Sequence, residues 1–253
     1  MRVAALYDIH GNLPALEAVL EDVRRAEVDL IVVGGDVVPG PMPRETIRCL
    51  REIETPVQYI QGNGDREVLA QRAGKETGAI PEQYREVMRW VAEQCDADDA
   101  RLLASWPPTL RVRMPALGEV LFCHASPRSD TESFTRLTPG ERLLPLFQGL
   151  DVSLVVCGHT HMQFDRTIGR TRVVNAGSVG MPFGEPGAYW LLLGPDVELR
   201  RTRYDLARAA ERIRETTYPQ AREFAAANVL EPPSAEDMLQ VFGRSEEKAA
   251  TRP

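Results

Sequence analysis

Five apolar stretches of the chain each run into side chains that can bind a metal ion. Arg2–Tyr7 leads to Asp8 and His10, Leu30–Gly34 to Asp36, Val57–Gln61 to Asn63, Glu119–Cys123 to His124, and Val152–Cys157 to His159 and His161. The chain has four histidines and all of them fall in this set, whereas unrelated core histidines would scatter. Asp8 with His10 and His159 with His161 are spaced i, i+2, which in extended backbone sends both side chains to one side. Gly35, Gly62 and Gly158 directly precede candidate ligands, where a strand must turn without a Cβ in the way. Four imidazoles and three aspartate or asparagine oxygens exceed the needs of one tetrahedral site. A shared Asp36 divides them between two ions, and two divalent metals about 3.5–4 Å apart form a clamp for in-line phosphoryl displacement. Mixed imidazole, carboxylate and amide ligation suits Mn, Fe, Zn or Ni better than a thiolate-selecting metal.

Such a site needs strands that end together. In the N-terminal third the strand-like runs Arg2–Tyr7, Leu30–Val33 and Val57–Ile60 alternate with helical patterns. Leu13, Leu16, Leu20 and Val23 mark one helix face, with Pro14 in its first turn, and Ile47, Leu50 and Ile53 mark another. Strand, helix, strand, helix, strand predicts parallel pairing in an α/β layer, with the functional crevice at the carboxyl ends of the strands. Residues 74–105 break this rhythm as a helical insertion, for which a lid and a packing element read alike. Runs return at Glu119–Cys123, Val152–Cys157, Arg172–Val174, Tyr189–Leu193 and Val197–Arg203, with a helical interval at Glu141–Leu150. The later ones are close enough for antiparallel hairpins, and Pro195-Asp196 suits a turn. One domain over 1–242 is expected, with C-terminal helices over 205–242 and a disordered polar tail over 243–253.

With 253 residues, 43% hydrophobic and 26% charged, the composition excludes a mainly disordered or fibrous chain. A formal charge of −7 argues against long nucleic acid or an anionic membrane surface as partner. No apolar run approaches a membrane span, and the apolar start is too short for a signal peptide. Cys49, Cys95, Cys123 and Cys157 form no C-x-x-C pair and read as reduced, buried thiols of a cytoplasmic protein.

The motifs DIHGN (Asp8–Asn12), GGD (Gly34–Asp36), GNGD (Gly62–Asp65), CHASP (Cys123–Pro127), GHTH (Gly158–His161) and NAGSVG (Asn175–Gly180) stand in that order. Together they resemble the calcineurin-like metallophosphoesterase superfamily, in particular its small bacterial and archaeal phosphodiesterases, over about residues 1–204. The resemblance implies a four-layer αββα sandwich of two mixed sheets flanked by helices, with a dimetal site at the sheet edge. It assigns Asp8, His10 and His161 to a first ion, Asn63, His124 and His159 to a second, and Asp36 to both. It also implies hydrolysis of a small phosphodiester, with monoesters a further substrate class, by a metal-bridging hydroxide. Asp36, Asn63 and His124 are then the residues nearest the chemistry. Many members carry a histidine where this chain has Gly64, which removes the usual general acid. Asp65 is a weak substitute that reads better as a helix N-terminal residue or a partner of Arg66.

Asn12, Arg66 and Arg128 are candidate phosphate contacts, each with a structural alternative as helix cap, helix charge or loop charge. Phe134, Met181 and Phe183 offer an apolar shelf for a nucleoside or aryl group, or simply packing. Ser178 reads as a local hydrogen-bonding group, since Ala176 replaces the first glycine of a nucleophile elbow. A dinucleoside polyphosphate hydrolase, a protein phosphatase and a non-catalytic scaffold of the same fold are the competing functions. The expected partner is a small phosphoester, a nucleotide among the options.

Overall fold

The structure, a computed structural model, describes residues 1–75 and 82–250. In chain order its elements are β1 (Val3–Leu6), α1 (Leu13–Arg25), β2 (Leu30–Val33), α2 (Pro43–Arg51), β3 (Val57–Tyr59), α3 (Asn63–Arg72), α4 (Glu82–Gln94) and α5 (Ala97–Ser105). Then follow β4 (Thr109–Met114), β5 (Gly118–Cys123), α6 (Gly140–Phe147), β6 (Leu154–Cys157), β7 (Phe164–Ile168), β8 (Thr171–Asn175), β9 (Ala188–Leu193) and β10 (Val197–Thr202). The chain ends in α7 (Leu206–Arg214), α8 (Ala221–Phe224), a π-helical turn (Ala225–Leu230) and α9 (Ala235–Ala250).

The strands form two five-stranded mixed sheets, β10-β9-β1-β2-β3 and β4-β5-β6-β8-β7. The βαβ repeat makes β1, β2 and β3 parallel, and β9–β10 is an antiparallel hairpin turning through 194–196. Alternation along each strand sets the layers. On β1, Val3 and Ala5, with Tyr7 just beyond, face Val120, Phe122, Leu154, Val156 and Val174 of the other sheet, a dry core between the two. Ala4 and Leu6 point the opposite way, into the core shared with α1 and α2. In the second sheet Leu121, Val155 and Val173 face outward onto Leu143, Leu146 and Phe147 of α6. Helix, sheet, sheet, helix is the αββα sandwich the motifs imply. Tyr7 fastens the sheets by donating its buried hydroxyl to the Val156 carbonyl at 3.1 Å.

β4 and β7 went unread in the sequence. Both are edge strands, and TLRVRM and FDRTI interleave charged residues with apolar ones, a pattern that suits an edge and weakens the strand signal. In the 74–105 insertion, α4 and α5 bury Val87, Met88, Val91, Ala92 and Leu103 in the core that also holds α1. Residues 76–81 of it lie outside the described residues. Of the tail expected over 243–253, residues 251–253 lie outside the described residues, while α9 passes through Gly243 to Ala250, because one glycine costs a helix only about 1 kcal/mol and SEEKAA is rich in helix formers. Among the described residues no helix is long and apolar enough to cross a membrane.

Candidate metal centre

The loops that leave β1 and β2 run side by side. The amides of Asp8, His10 and Gly11 donate to the carbonyls of Gly35, Asp36 and Val37 at 3.1, 2.9 and 2.8 Å. Gly35 turns this second loop at φ +89°, and a Cβ there would stand 2.5 Å from the Gly62 nitrogen, so glycine lets the start of α3 come close. Asp8, His10, Asp36, His159 and His161 all have φ between +49° and +65°, a conformation that costs a residue with a side chain about 1–2 kcal/mol. Five strained backbones in one place, each carrying a candidate ligand, are held by tertiary bonds and mark a functional site.

Three imidazoles are oriented from behind by main-chain carbonyls. Nδ1 of His10 bonds Pro39 O at 3.0 Å, that of His124 bonds Gly34 O at 2.9 Å, and that of His161 bonds Met181 O at 2.7 Å. Each carbonyl takes the ring proton and leaves Nε2 with a lone pair. Those lone pairs converge. His10 Nε2 lies 3.2 Å from His161 Nε2. Asp8 Oδ1, buried and without a hydrogen-bond partner, lies 3.3 Å from His161 Nε2 and 3.9 Å from both His10 Nε2 and His124 Nε2. Asp36 points Oδ2 to His10 Nε2 at 3.8 Å and Oδ1 to His124 Nε2 at 3.5 Å. The Asn63 amide stands 3.0 Å from His124 Nε2, His159 Nδ1 and Asp130 O; its nitrogen satisfies these contacts by donating to them, and its oxygen would turn to them as a metal ligand. Behind His159, Nε2 meets Ser133 Oγ at 3.2 Å. Lone pairs aimed at one another repel unless a cation lies among them, so this donor set fits divalent metal. Two groupings are compact enough to share an ion: Asp8, His10 and His161, and Asp8, Asp36 and His124.

Protonation agrees. Burial opposes charge on Asp8, but His161, His124 and His10 hold its carboxyl below the usual carboxylate range. Burial, then His161, pushes His10 below the ordinary imidazole value, and burial with His124 takes His159 down to about 4. On His124 burial is outweighed by Asp36 and Asp8, and its value rises.

The other candidates are placed differently. Asn12 is buried as the N-cap of α1, accepting from Ala15 N and donating to Gly180 O at 2.9 Å, so it ties the first loop to the 175–180 loop. Asp65 does not reach the centre. Its Oδ1 accepts from Val37 N and Val38 N at 2.9 and 3.2 Å and its Oδ2 from Gly62 N at 3.2 Å, while burial and Asp36 raise its carboxyl to about 7. It fastens the Asp36 loop to the first turn of α3. Gly64 donates its N–H to Asp36 Oδ1 at 2.7 Å, and a Cβ there would meet Pro39 Cγ at 2.6 Å. A histidine therefore has no room at 64 unless Pro39 moves. Arg66 and Arg128 line, with His124, an open cleft of about 460 Å³. Arg66 is held by Asp130 and Glu67, and Arg128 by Glu132. Ser178 takes the local role expected of it, donating to Asp8 O and accepting from Met181 N. Phe134 is no shelf: it is buried against Phe147 and Phe164 in the outer core. Phe183 does reach the centre, stacked on His161. Ser133, Asp130 and the orienting carbonyls carried no signal in the sequence, because only the tertiary fold brings them behind the ligands.

Comparison with known proteins agrees with this geometry. The sequence model of the calcineurin-like phosphoesterase superfamily domain matches residues 1–194. A metallophosphoesterase from Sphaerobacter thermophilus is 26% identical, with a TM-score of 0.71 over 90% of this chain and 99% of that one. A hypothetical protein from Pyrococcus horikoshii shares the fold with a TM-score of 0.79 at 20% identity, over 92% of this chain and 99% of its own. An uncharacterized protein of Methanocaldococcus jannaschii is 27% identical over 239 residues, 86% of this chain and 94% of its own. Matched over most of its length by the family's sequence model, and carrying that fold around a metal-ligand cluster, this chain belongs to the calcineurin-like phosphoesterase superfamily.

Proposed function

We propose that this metal-dependent phosphoric ester hydrolase acts on a small phosphodiester, nucleotides included, with a centre of two divalent ions. Asp8, His10 and His161 would hold one ion, Asn63, His124 and His159 the other, and Asp36 both. The observation that carries the two-ion reading is Asp36, whose two carboxylate oxygens face His10 and His124 separately. Bound there, divalent metal supplies Lewis acidity toward the phosphoryl oxygens and activates water; Mn, Fe, Zn and Ni suit the donors. The protein aims the imidazoles of His10, His124 and His161 through their backs, and Gly64 N–H and Asp65 hold the Asp36 loop in place.

The diester preference rests on charge. The two guanidiniums lining the cleft are each matched by carboxylates, so little free positive charge is left for the second negative charge of a monoester. Asp65 is not placed to protonate a poor leaving group either, since its oxygens are occupied by backbone. The four free cysteines, three of them buried, support a cytoplasmic setting.

The test uses protein loaded with Mn²⁺, an aryl phosphodiester and an aryl monoester. Two equivalents of metal and a higher kcat/KM for the diester are expected, with at least about a hundredfold loss in Asp36→Asn and His124→Ala. A monoester preference overturns the substrate reading, and full turnover in both variants places the active site elsewhere.

A further inference from the structure

His161 sits in left-handed backbone at φ +58°, so its ring is placed by what surrounds it. Two of those surroundings come from one loop, 181–184. The Met181 carbonyl takes the Nδ1 proton at 2.7 Å, and the Phe183 ring lies on the imidazole with centroids 5.1 Å apart and planes 24° from parallel. The far side of this loop is gripped by the C-terminal segment. Gly184 N donates to Pro233 O at 2.8 Å, and a Cβ on Gly184 would stand 3.7 Å from the Cβ of Ala235. Phe242 of α9 meets Phe183 with ring centroids 6.3 Å apart at 53°. Leu239, one turn earlier, is buried and anchors the helix. Pro233–Phe242 lies beyond the residues matched by the family's sequence model.

We propose that Pro233–Phe242 is a positioning clasp for the metal ligand His161: Phe242 presses Phe183 onto the imidazole, and Pro233 fixes the loop whose carbonyl orients it. Phe183 and Phe242 are positioning residues that act through the His161 imidazole. The inference rests on the proposed two-ion centre and concerns only the ion held by Asp8, His10 and His161. A ligand left free to rotate pays ordering entropy on binding, and loss of such an orienting partner costs roughly 10- to 100-fold in metal affinity.

The experiment titrates metal-free full-length protein with Mn²⁺ by calorimetry and follows thermal unfolding of the metal-free form. Phe242→Ala and Phe183→Ala are expected to weaken one of the two binding events by about tenfold or more and leave the other unchanged. Phe242→Tyr keeps the ring and should restore the isotherm, and Phe242→Leu keeps the volume and should not. The Leu variant serves if the Ala variant folds poorly. His161→Ala is the reference for loss of that ion. If His161→Ala weakens one event while Phe183→Ala and Phe242→Leu bind as the parent does, the clasp is refuted and the metal centre stands. Equal weakening of both events refutes it too, by showing a general loosening. If His161→Ala itself leaves uptake unchanged, the ligand assignment fails and the clasp falls with it.

Discussion

The main-chain N–H of His159 donates to Oδ2 of Asp8 at 2.9 Å, joining the end of β6 in one sheet to the end of β1 in the other. That bond uses one oxygen of a wholly buried carboxylate and leaves the other, Oδ1, facing three imidazole nitrogens with no hydrogen to accept.

Removing metal should therefore cost stability. A ligand present at a hundred times its Kd adds about 2.7 kcal/mol to the folded state, and in a chain of this size each kcal/mol is worth roughly 2–4 °C. Chelated protein is expected to melt several degrees lower, with Mn²⁺ restoring the loss, and differential scanning calorimetry before and after chelation reads it. An unchanged melting temperature would contradict a site built of mutually facing lone pairs.

Asp65→Asn separates a structural carboxylate from a proton donor. An amide in that place turns its NH₂ toward one of the backbone N–H groups now accepted by Oδ1 or Oδ2, leaving a buried donor unpaired at about 1–3 kcal/mol. Urea denaturation should show that loss. The pH–rate profile of the loaded enzyme should keep its shape, and loss of one limb would return Asp65 to the chemistry.

At position 64 the expectation is steric. Gly64→Ala places a methyl 2.6 Å from Pro39 Cγ and 3.0 Å from Asp36 Oδ1. Overpacking of this kind costs about 1–3 kcal/mol. Lower stability and weaker metal binding should appear together, because the atoms displaced belong to the Asp36 loop. A Gly64→Ala protein as stable as the parent would show that the loop yields easily, and would reopen the position to larger side chains.

Asp130→Asn tests the charge argument for diesters. It frees Arg66 from its two-point partner. A partly exposed guanidinium released in this way offers about 1 kcal/mol to an added negative charge, roughly fivefold in rate ratio. The monoester-to-diester ratio of kcat/KM should rise by that order. A constant ratio would mean that Arg66 does not sense the substrate.

The residue patterns that announced the site were those whose chemistry is carried by side-chain type: four histidines, two aspartates and an asparagine at strand ends. The apolar runs of central strands such as β1, β2 and β6, buried on both faces, made an α/β layer legible, while the αββα sandwich followed from the resemblance of the ordered motifs to a known family. What escaped is of two kinds. Edge strands β4 and β7 trade apolar pattern for charge. The carbonyls of Gly34, Pro39 and Met181 that aim the rings belong to the backbone, which is chemically alike at every residue. Phe134 and Phe183 looked equivalent as aromatic residues near motifs, and only packing separates a core ring from one lying on a ligand.

The left-handed geometry at Asp8, His10, Asp36, His159 and His161 has an evolutionary corollary. Glycine adopts that geometry freely, so His161→Gly relieves torsional strain as it destroys a ligand, and gives up the bond to Met181 O and the contact with Phe183 in exchange. Without selection for turnover, those five positions would lose the ligands for which their torsional cost is retained.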